Sequence, residues 1–229
     1  MKNIYNLNSP IFAGMSENDI TSVLNCLNAV EKHYLKRRYI WHAGDAPDYM
    51  GLVIAGQINI VKEDYVGNRT VIANIMPSHV FGESYSIAGS NVYPVSAIAA
   101  TNSVVLLLNF KKLTSTCKNA CVYHNKLVEN MLKLIAKKNV LLNHRLDCIT
   151  KKTTRQKLAF YLINEVQYKN TREITIPFNR EELADYLGVN RSALSRELAS
   201  LNNDGILSFN KNIFQLRDIN KLHDVSNGE

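Results

Sequence analysis

A single glycine between two helix-start signals is the feature that most restricts how this chain can fold. Asn179, with Glu182 three residues later, is the pattern that caps the N-terminus of a helix, and Asn190 can cap a second helix. Gly188 stands between them, where the chain needs a left-handed conformation that side chains resist. The sequence therefore predicts two short helices joined by a tight turn, the second ending near Gly205.

The segments on either side of this helix pair have the character of strands. Ile174-Thr175-Ile176 precedes the pair, and after it two apolar segments flank Asn210-Lys211-Asn212, as in a hairpin. A strand, two helices and a hairpin in this order predict a winged helix-turn-helix. Its shared core is expected to consist of leucines at helical spacing: Leu183, Leu187, Leu194, Leu198 and Leu201.

When those leucines point inward, four polar residues of the second helix fall together on its outward face: Arg191, Ser192, Ser195 and Arg196. Arginine can donate two hydrogen bonds to guanine, and serine can hydrogen-bond bases or phosphates. We therefore expect these four residues to contact DNA bases. Three further basic residues are expected to contact DNA phosphates, namely Arg155, Arg180 and Lys211.

A long helix is predicted between residues 118 and 148, because this segment contains neither Gly nor Pro. Leu127, Leu134 and Leu141 recur every seven residues with Met131 between them, and a second apolar row lies beside this one. One row can pack on the protein's own β domain and the other on a partner helix. We expect a parallel homodimer; the alternative is a lone helix that covers its own domain.

Residues 36–110 contain short apolar alternations separated by turn signals, including Gly44-Asp45, Gly56 and Pro77-Ser78. This spacing predicts a small antiparallel barrel or jelly roll, whose mouth can hold a ligand. The expected fold class is α+β. The expected domains are an effector-binding β-roll (1–117), a dimerisation helix (118–149) and a winged helix-turn-helix DNA-binding domain (150–229).

The charge of the chain favours an anionic partner, since 27 Lys and Arg face 20 Asp and Glu. No apolar run is long enough for a membrane span and no signal segment opens the chain, so we expect a cytoplasmic protein with no membrane partner. The motifs of phosphate-binding loops, zinc proteases and serine hydrolases are absent from the sequence, and no enzyme activity is expected.

Two parts of the sequence resemble the CRP/FNR family of bacterial transcription regulators. Residues 180–196 are similar to its DNA-binding helix pair, whereas residues 44–58 and Phe81-Gly82-Glu83 are similar to its β-roll effector domain. The resemblance implies a homodimer that is joined by the long helix and binds a two-fold symmetric site on double-stranded DNA. It also implies allosteric control by a small effector and RNA polymerase as a further partner. Half-sites should lie about 34 Å apart.

The effector site departs from the cyclic-nucleotide members of that family. Gly82-Glu83 is retained, but Tyr93-Pro94 stands where those members have the Arg-Ser pair that binds the phosphate. A buried phosphate without these donors is costly, so cyclic AMP is not expected as the effector and no cofactor is predicted. A more apolar or aromatic effector is expected near Gly82, Glu83, Tyr85 and Tyr93; the alternative is that side chains fill this pocket.

The cysteines do not match the iron-sulfur members of the family. Only Cys26 lies near the N-terminus, whereas a cluster needs four thiolates. Cys117, Cys121 and His124 have a spacing compatible with a redox or metal site, but a fourth ligand is not evident and no metal site is predicted. Two alternative functions remain open: a redox- or metal-responsive regulator, and a signalling module whose helical domain binds protein instead of DNA.

Overall fold

The computed structural model describes residues 8–64, 66, 68–109, 112 and 122–228. The chain divides into two compact units, an N-terminal unit of residues 1–137 and a C-terminal unit of residues 138–229. The long helix α3 (Val122–Thr150) begins in the first unit and ends in the second. In the described ranges, no helix combines the length and apolar character needed to cross a bilayer.

The N-terminal unit consists mainly of two antiparallel sheets. Strand order is β1-β8-β3-β6 in one sheet and β2-β7-β4-β5 in the other, which agrees with the β-roll that the sequence predicts. The elements are a 3-10 turn (Pro10–Phe12), α1 (Glu17–Cys26), β1 (Val30–Tyr34), β2 (Tyr39–Trp41), β3 (Tyr49–Ala55), β4 (Ile58–Glu63), β5 (Arg69–Ile75), β6 (Val80–Phe81), α2 (Glu83–Ile87), β7 (Ser96–Ala99) and β8 (Ser103–Asn109).

Alternation along the central strands sends side chains into two separate cores. Val53 of β3 and Val105 of β8 belong to a core shared with strands of the other sheet. Leu52 and Leu106, one position away, belong to a second core with α1 and the start of α3. Successive side chains of a strand point to opposite faces, so one sheet can serve both cores.

The first half of α3 packs on this second core. Leu127 and Met131 are fully buried there. Asn130 anchors the helix as well, because its Nδ2 donates hydrogen bonds to the carbonyls of Ile11 and Ala13 at 3.0 and 2.9 Å. The helix is thus fixed to the N-terminal unit by apolar burial and by a side chain that satisfies two loop carbonyls.

The C-terminal unit has the strand, helix pair and hairpin that the sequence predicts. Asn179 accepts hydrogen bonds from the backbone of Glu181 and Glu182, and Gly188 ends the first helix with φ +61°. Strands β10, β11 and β9 form one antiparallel sheet. The elements after α3 are α4 (Thr154–Lys169), β9 (Glu173–Thr175), α5 (Arg180–Leu187), α6 (Arg191–Asn203), β10 (Leu207–Asn210), β11 (Ile213–Leu216) and α7 (Ile219–Asn227).

Candidate nucleic-acid interface

Helix α6 has one buried face and one exposed polar face. Leu194, Leu198 and Leu201 have no exposed surface and belong to the core of the C-terminal unit. The start of the helix is fixed by Asn190, whose Oδ1 accepts a hydrogen bond from the backbone nitrogen of Ser192 at 2.8 Å. Burial of the leucines therefore determines which face of the helix points outward, and the cap determines the residue at which the helix begins.

The four predicted base-contacting residues all lie on the exposed face of α6: Arg191, Ser192, Ser195 and Arg196. Neither guanidinium forms an ion pair with another described residue. The Ser192 hydroxyl is partly engaged, because it donates to Oδ1 of Asn190 at 2.6 Å. The exposed face of α6 therefore has two guanidinium groups and at least one serine hydroxyl that can donate hydrogen bonds to acceptors on a partner.

The hairpin that follows α6 is braced by Arg180. Its guanidinium lies over the rings of Phe209 and Phe214, at 4.9 and 5.5 Å from their centroids, and donates a hydrogen bond to the carbonyl of Lys211 at 3.1 Å. Burial lowers the pKa of this guanidinium below its usual value. Lys211 itself is exposed at the hairpin tip with φ +53°. Lys211 is thus presented outward, whereas Arg180 is held by the hairpin.

Arg155 joins α4 to the C-terminal half of α6. Its Nη2 lies 2.6 Å from Oδ2 of Asp204, and its Nη1 lies 3.6 Å from Oε2 of Glu197. The same Nη1 donates to the Ser200 hydroxyl at 2.8 Å. Two carboxylates compensate the charge of this arginine, so its geometry serves the packing of α6. The sequence could not reveal this contact, because the partners lie more than forty residues away.

The residues predicted to surround an effector lie around an aromatic stack. The ring of Tyr93 stacks on Trp41 at 4.4 Å between centroids, and Trp41 stacks on Phe81 at 4.9 Å. At Gly82 (φ +75°) an added Cβ would lie 2.7 Å from the Trp41 ring, so only glycine fits. The Tyr93 hydroxyl donates to the carbonyl of Tyr49, and burial raises the pKa of this hydroxyl.

Two other residues of this predicted pocket differ in exposure. Glu83 is buried at the start of α2 and accepts a hydrogen bond from the hydroxyl of Ser84, whereas Tyr85 is half-buried with its ring edge toward Tyr93. Trp41 was not among the residues expected from the sequence. A lone tryptophan in a short strand carries no signal that would place it beside a glycine forty residues later.

The four predicted dimer residues of α3 are not alike. Leu127 and Met131 are buried in the core of the N-terminal unit and Leu134 packs against it, whereas Leu141 is 65% exposed. Other apolar side chains of α3 are exposed instead. They include Leu132 (64%), Leu142 (57%) and Leu146 (46%). Of these three, Leu142 belongs to the second apolar row that the sequence indicates.

A metal site receives no support from the described ranges, in which no group of three His, Cys, Asp or Glu side chains could hold an ion. Cys117 and Cys121 lie outside the described residues. His124 is buried, and neither of its ring nitrogens has a hydrogen-bond partner in the described part of the chain.

Comparison with known proteins agrees with the two-part architecture. Residues 31–120 match the cyclic nucleotide-binding domain family, and residues 156–225 match the Crp-like helix-turn-helix domain family. The chain is 21% identical to the cyclic AMP receptor protein of Thermus thermophilus over 220 residues, which is 96% of this chain and 98% of that protein. It is 24% identical to the transcriptional activator FnrL of Cereibacter sphaeroides over 179 residues, 74% of this chain and 68% of that one.

The chain belongs to the CRP/FNR family. Its fold is also that of OCPA-complexed CprK, with a TM-score of 0.65 and 16% identity over 90% of this chain and 93% of that one. This family member is accordingly a transcription regulator with a helix-turn-helix DNA-binding domain. Its domains and relatives are those of regulators and not of enzymes, which confirms the prediction made from the missing catalytic motifs.

In this CRP/FNR protein we expect Arg155→Ala to lower the free energy of unfolding by about 1 kcal/mol, because partly exposed charge-assisted contacts are lost. The salt dependence of DNA affinity should stay as in the parent. Chemical denaturation and fluorescence anisotropy at several salt concentrations measure the two effects, with exposed Arg172→Ala as the control. If the plot of the logarithm of the DNA-binding constant against the logarithm of salt concentration became less steep by about 0.9, with stability unchanged, Arg155 would instead contact a phosphate.

Proposed function

We propose that this regulator is a cytoplasmic homodimer that binds a two-fold symmetric DNA site through α6. The observation that supports this proposal is the exposed face of α6, where two arginines and two serines stand beside a capped helix start. Helix starts favour phosphate through their free N–H groups, and a helix fits the major groove. The proposed domains are those expected from the sequence: 1–117, 118–149 and 150–229.

Arg196 and Arg191 are the proposed guanine-contacting residues, since each has an exposed side chain without an ion-pair partner among the described residues. Ser195 is proposed to contact a base or phosphate, and Ser192 does so in addition to its bond with Asn190. Lys211 at the hairpin tip would contact a phosphate, which adds affinity without sequence choice. RNA polymerase is the proposed protein partner.

Arg196→Ala should weaken specific DNA binding by about 1 to 3 kcal/mol and relax the preference at one base pair in each half-site. Sites selected from a randomised duplex pool, followed by anisotropy titrations with each single-base variant, would measure both effects. Arg172→Ala, an exposed arginine ahead of β9, is the matched control. If Arg196→Ala keeps the base preferences of the parent at every position, Arg196 does not contact a base.

The dimer is proposed to form along an apolar row of α3 that its own unit covers only in part. Val128 and Ile135 of this row pack against the N-terminal core, whereas its other apolar residues are exposed: Leu132, Leu142, Leu146 and Ile149. Val128, Ile135, Leu142 and Ile149 recur every seven residues, and Leu132, Asn139 and Leu146 form the neighbouring position of the same pattern. The row first expected, Leu127 with Met131, is already used in the N-terminal unit. Asn139 within this dimer row is the kind of polar residue that fixes helix register.

Leu142→Asp should turn the dimer into a monomer at micromolar concentration, because two carboxylates would face each other in an apolar interface. Leu141→Asp is the matched control, since Leu141 is equally exposed but lies one residue outside the dimer row. Sedimentation velocity measures whether each variant is a monomer or a dimer. If Leu141→Asp dissociates and Leu142→Asp remains a dimer, the dimer instead forms along the row that contains Leu141.

The proposed effector is not cyclic AMP, although one relative is named a cyclic AMP receptor protein. In this chain Tyr93 stands at the position of the phosphate-binding pair, and its ring stacks on Trp41 while its hydroxyl donates to a backbone carbonyl. Tyr93 is 2% exposed, so a bound cyclic phosphate would have to displace a packed aromatic side chain. The cost of leaving that phosphate without a cation is several kcal/mol.

Cyclic AMP should therefore leave the thermal stability of the purified protein unchanged. A ligand at one hundred times its Kd stabilises the folded state by about 2.7 kcal/mol, which a thermal melt detects as a higher Tm. The Thermus thermophilus relative, named for cyclic AMP, serves as the positive control. A saturable rise in Tm with cyclic AMP at millimolar or lower concentration would overturn this assignment.

A further inference from the structure

The first turn of α6 contains two hydrogen bonds that together fix the role of one hydroxyl group. Both end on Asn190, whose Oδ1 lies 2.8 Å from the backbone nitrogen of Ser192 and 2.6 Å from the Ser192 hydroxyl. Asn190 is the cap of this helix and has extended backbone angles, with φ −72° and ψ 135°. One side-chain atom therefore both caps the helix and contacts a residue of its exposed face.

The chemistry of these groups determines which of them donates. A backbone N–H can only donate, so the asparagine atom that faces the nitrogen of Ser192 must be the amide oxygen and not the amide nitrogen. This oxygen carries no hydrogen, and the Ser192 hydroxyl is therefore the donor in the 2.6 Å bond. A serine hydroxyl has a single proton and two lone pairs. While Asn190 holds that proton, Ser192 can only accept a further hydrogen bond.

An acceptor at this position is suited to some DNA groups and not to others. Phosphate groups offer only acceptor oxygens, so Ser192 could bond to them only by giving up its bond to Asn190. The major-groove edges of guanine and thymine also offer acceptors without a donor. Adenine and cytosine differ, because each carries an amino group there, at N6 and N4 respectively. Ser192 is exposed and so is accessible to such a group.

The other serine on the exposed face of α6 is not fixed in this way. Of the two serines, Ser192 is bonded to Asn190 and Ser195 is not. A hydroxyl that rotates freely can donate to one base and accept from another, so it distinguishes them poorly. To donate instead of accept, Ser192 must lose one hydrogen bond, which is equivalent to about a two- to tenfold loss of affinity.

We propose that Ser192 recognises the exocyclic amino group of an adenine or a cytosine, and that Asn190 positions its hydroxyl for this role. The inference rests on the proposed DNA-binding function and adds to it the chemistry of one base contact. Each base pair has a single amino group in the major groove, and inverting the pair moves that group to the other strand. Ser192 thus selects the orientation of one pair in each half-site.

The test begins with the sites that the full-length parent and Ser192→Ala select from a randomised duplex pool. The pair at which Ser192→Ala loses preference is the pair that Ser192 contacts. Anisotropy titrations then use a duplex in which hydrogen replaces the amino group of that pair, with purine in place of adenine or 2-pyrimidinone in place of cytosine. The parent should lose about five- to tenfold in affinity, and Ser192→Ala less than about twofold.

The outcomes separate this inference from the proposed function. Equal losses for the parent and Ser192→Ala on the modified duplex would show that the amino group is not the partner of Ser192. If Ser192→Ala keeps every base preference of the parent while Arg196→Ala loses one, this inference is wrong and the proposed function stands. A parent that selects no sequence from the pool would contradict both.

Two substitutions of Asn190 separate its role as an acceptor from its role as a cap. Asn190→Asp keeps both roles, whereas Asn190→Gly caps a helix almost as well but offers no acceptor to the hydroxyl. In Asn190→Gly the Ser192 hydroxyl can rotate and donate, so the preference for the selected pair over its inverted form should fall to less than about twofold. Asn190→Asp should keep the preference of the parent.

The preference is measured as the ratio of affinities for the two duplexes, so the general effect of the added charge in Asn190→Asp cancels. Thermal melts check that both variants are folded. If Asn190→Gly selects the orientation of the pair as strongly as Asn190→Asp does, Asn190 does not position Ser192 and the inference is overturned.

Discussion

Burial of three leucines in α6 determines which side chains this protein can offer to a ligand on its surface. Leu194, Leu198 and Leu201 are fully buried, and each contributes about 1.5 to 3 kcal/mol by its removal from water. A rotation of α6 by one residue would move each leucine by about 100° and expose it. The outward direction of Arg191 and Arg196 is therefore a consequence of core packing and needs no contact made by the arginines themselves.

The long helix shows how one repeating pattern can supply two different surfaces. In the N-terminal unit, Leu127 and Met131 are buried and Val128 and Ile135 pack against the same core, whereas Leu132 stays exposed. When the apolar stripe of a helix is two rows wide and its own domain buries only one row, another surface must pack on the second row to remove it from water. A lone helix packed on its own domain would leave Leu132, Leu142 and Leu146 in water, and the proposed partner helix would cover them.

The helix pair and the hairpin were predictable, because their signals are local. The caps Asn179 and Asn190 and the left-handed Gly188 act within a few residues of their own position, and the structure has each of them in place. The β-roll was predictable for a similar reason, since alternation has a short period. Which residues of α3 the N-terminal unit buries was not predictable, because adjacent rows of a heptad pattern look alike until one of them is buried.

Contacts between distant residues account for the rest of what the sequence did not reveal. Tyr93 and Trp41 stack across the N-terminal unit, and Arg155 pairs with Asp204 across the C-terminal unit. Each depends on where two elements meet, which no local spacing encodes. The stack removes the Tyr93 ring almost completely from solvent, since this residue is 2% exposed.

The net charge of +7 overstates what this protein can offer to DNA phosphates. Arg155 is compensated by two carboxylates, and Arg180 is stacked on two phenylalanines in the hairpin. A guanidinium committed to a carboxylate must break that pair before it can bind a phosphate, so its net contribution to DNA affinity is small. Arg191 and Arg196 on α6 and Lys211 at the hairpin tip are exposed and form no ion pair with a described residue, so under the proposed function they would supply this attraction. General attraction and base recognition would thus be concentrated on one surface.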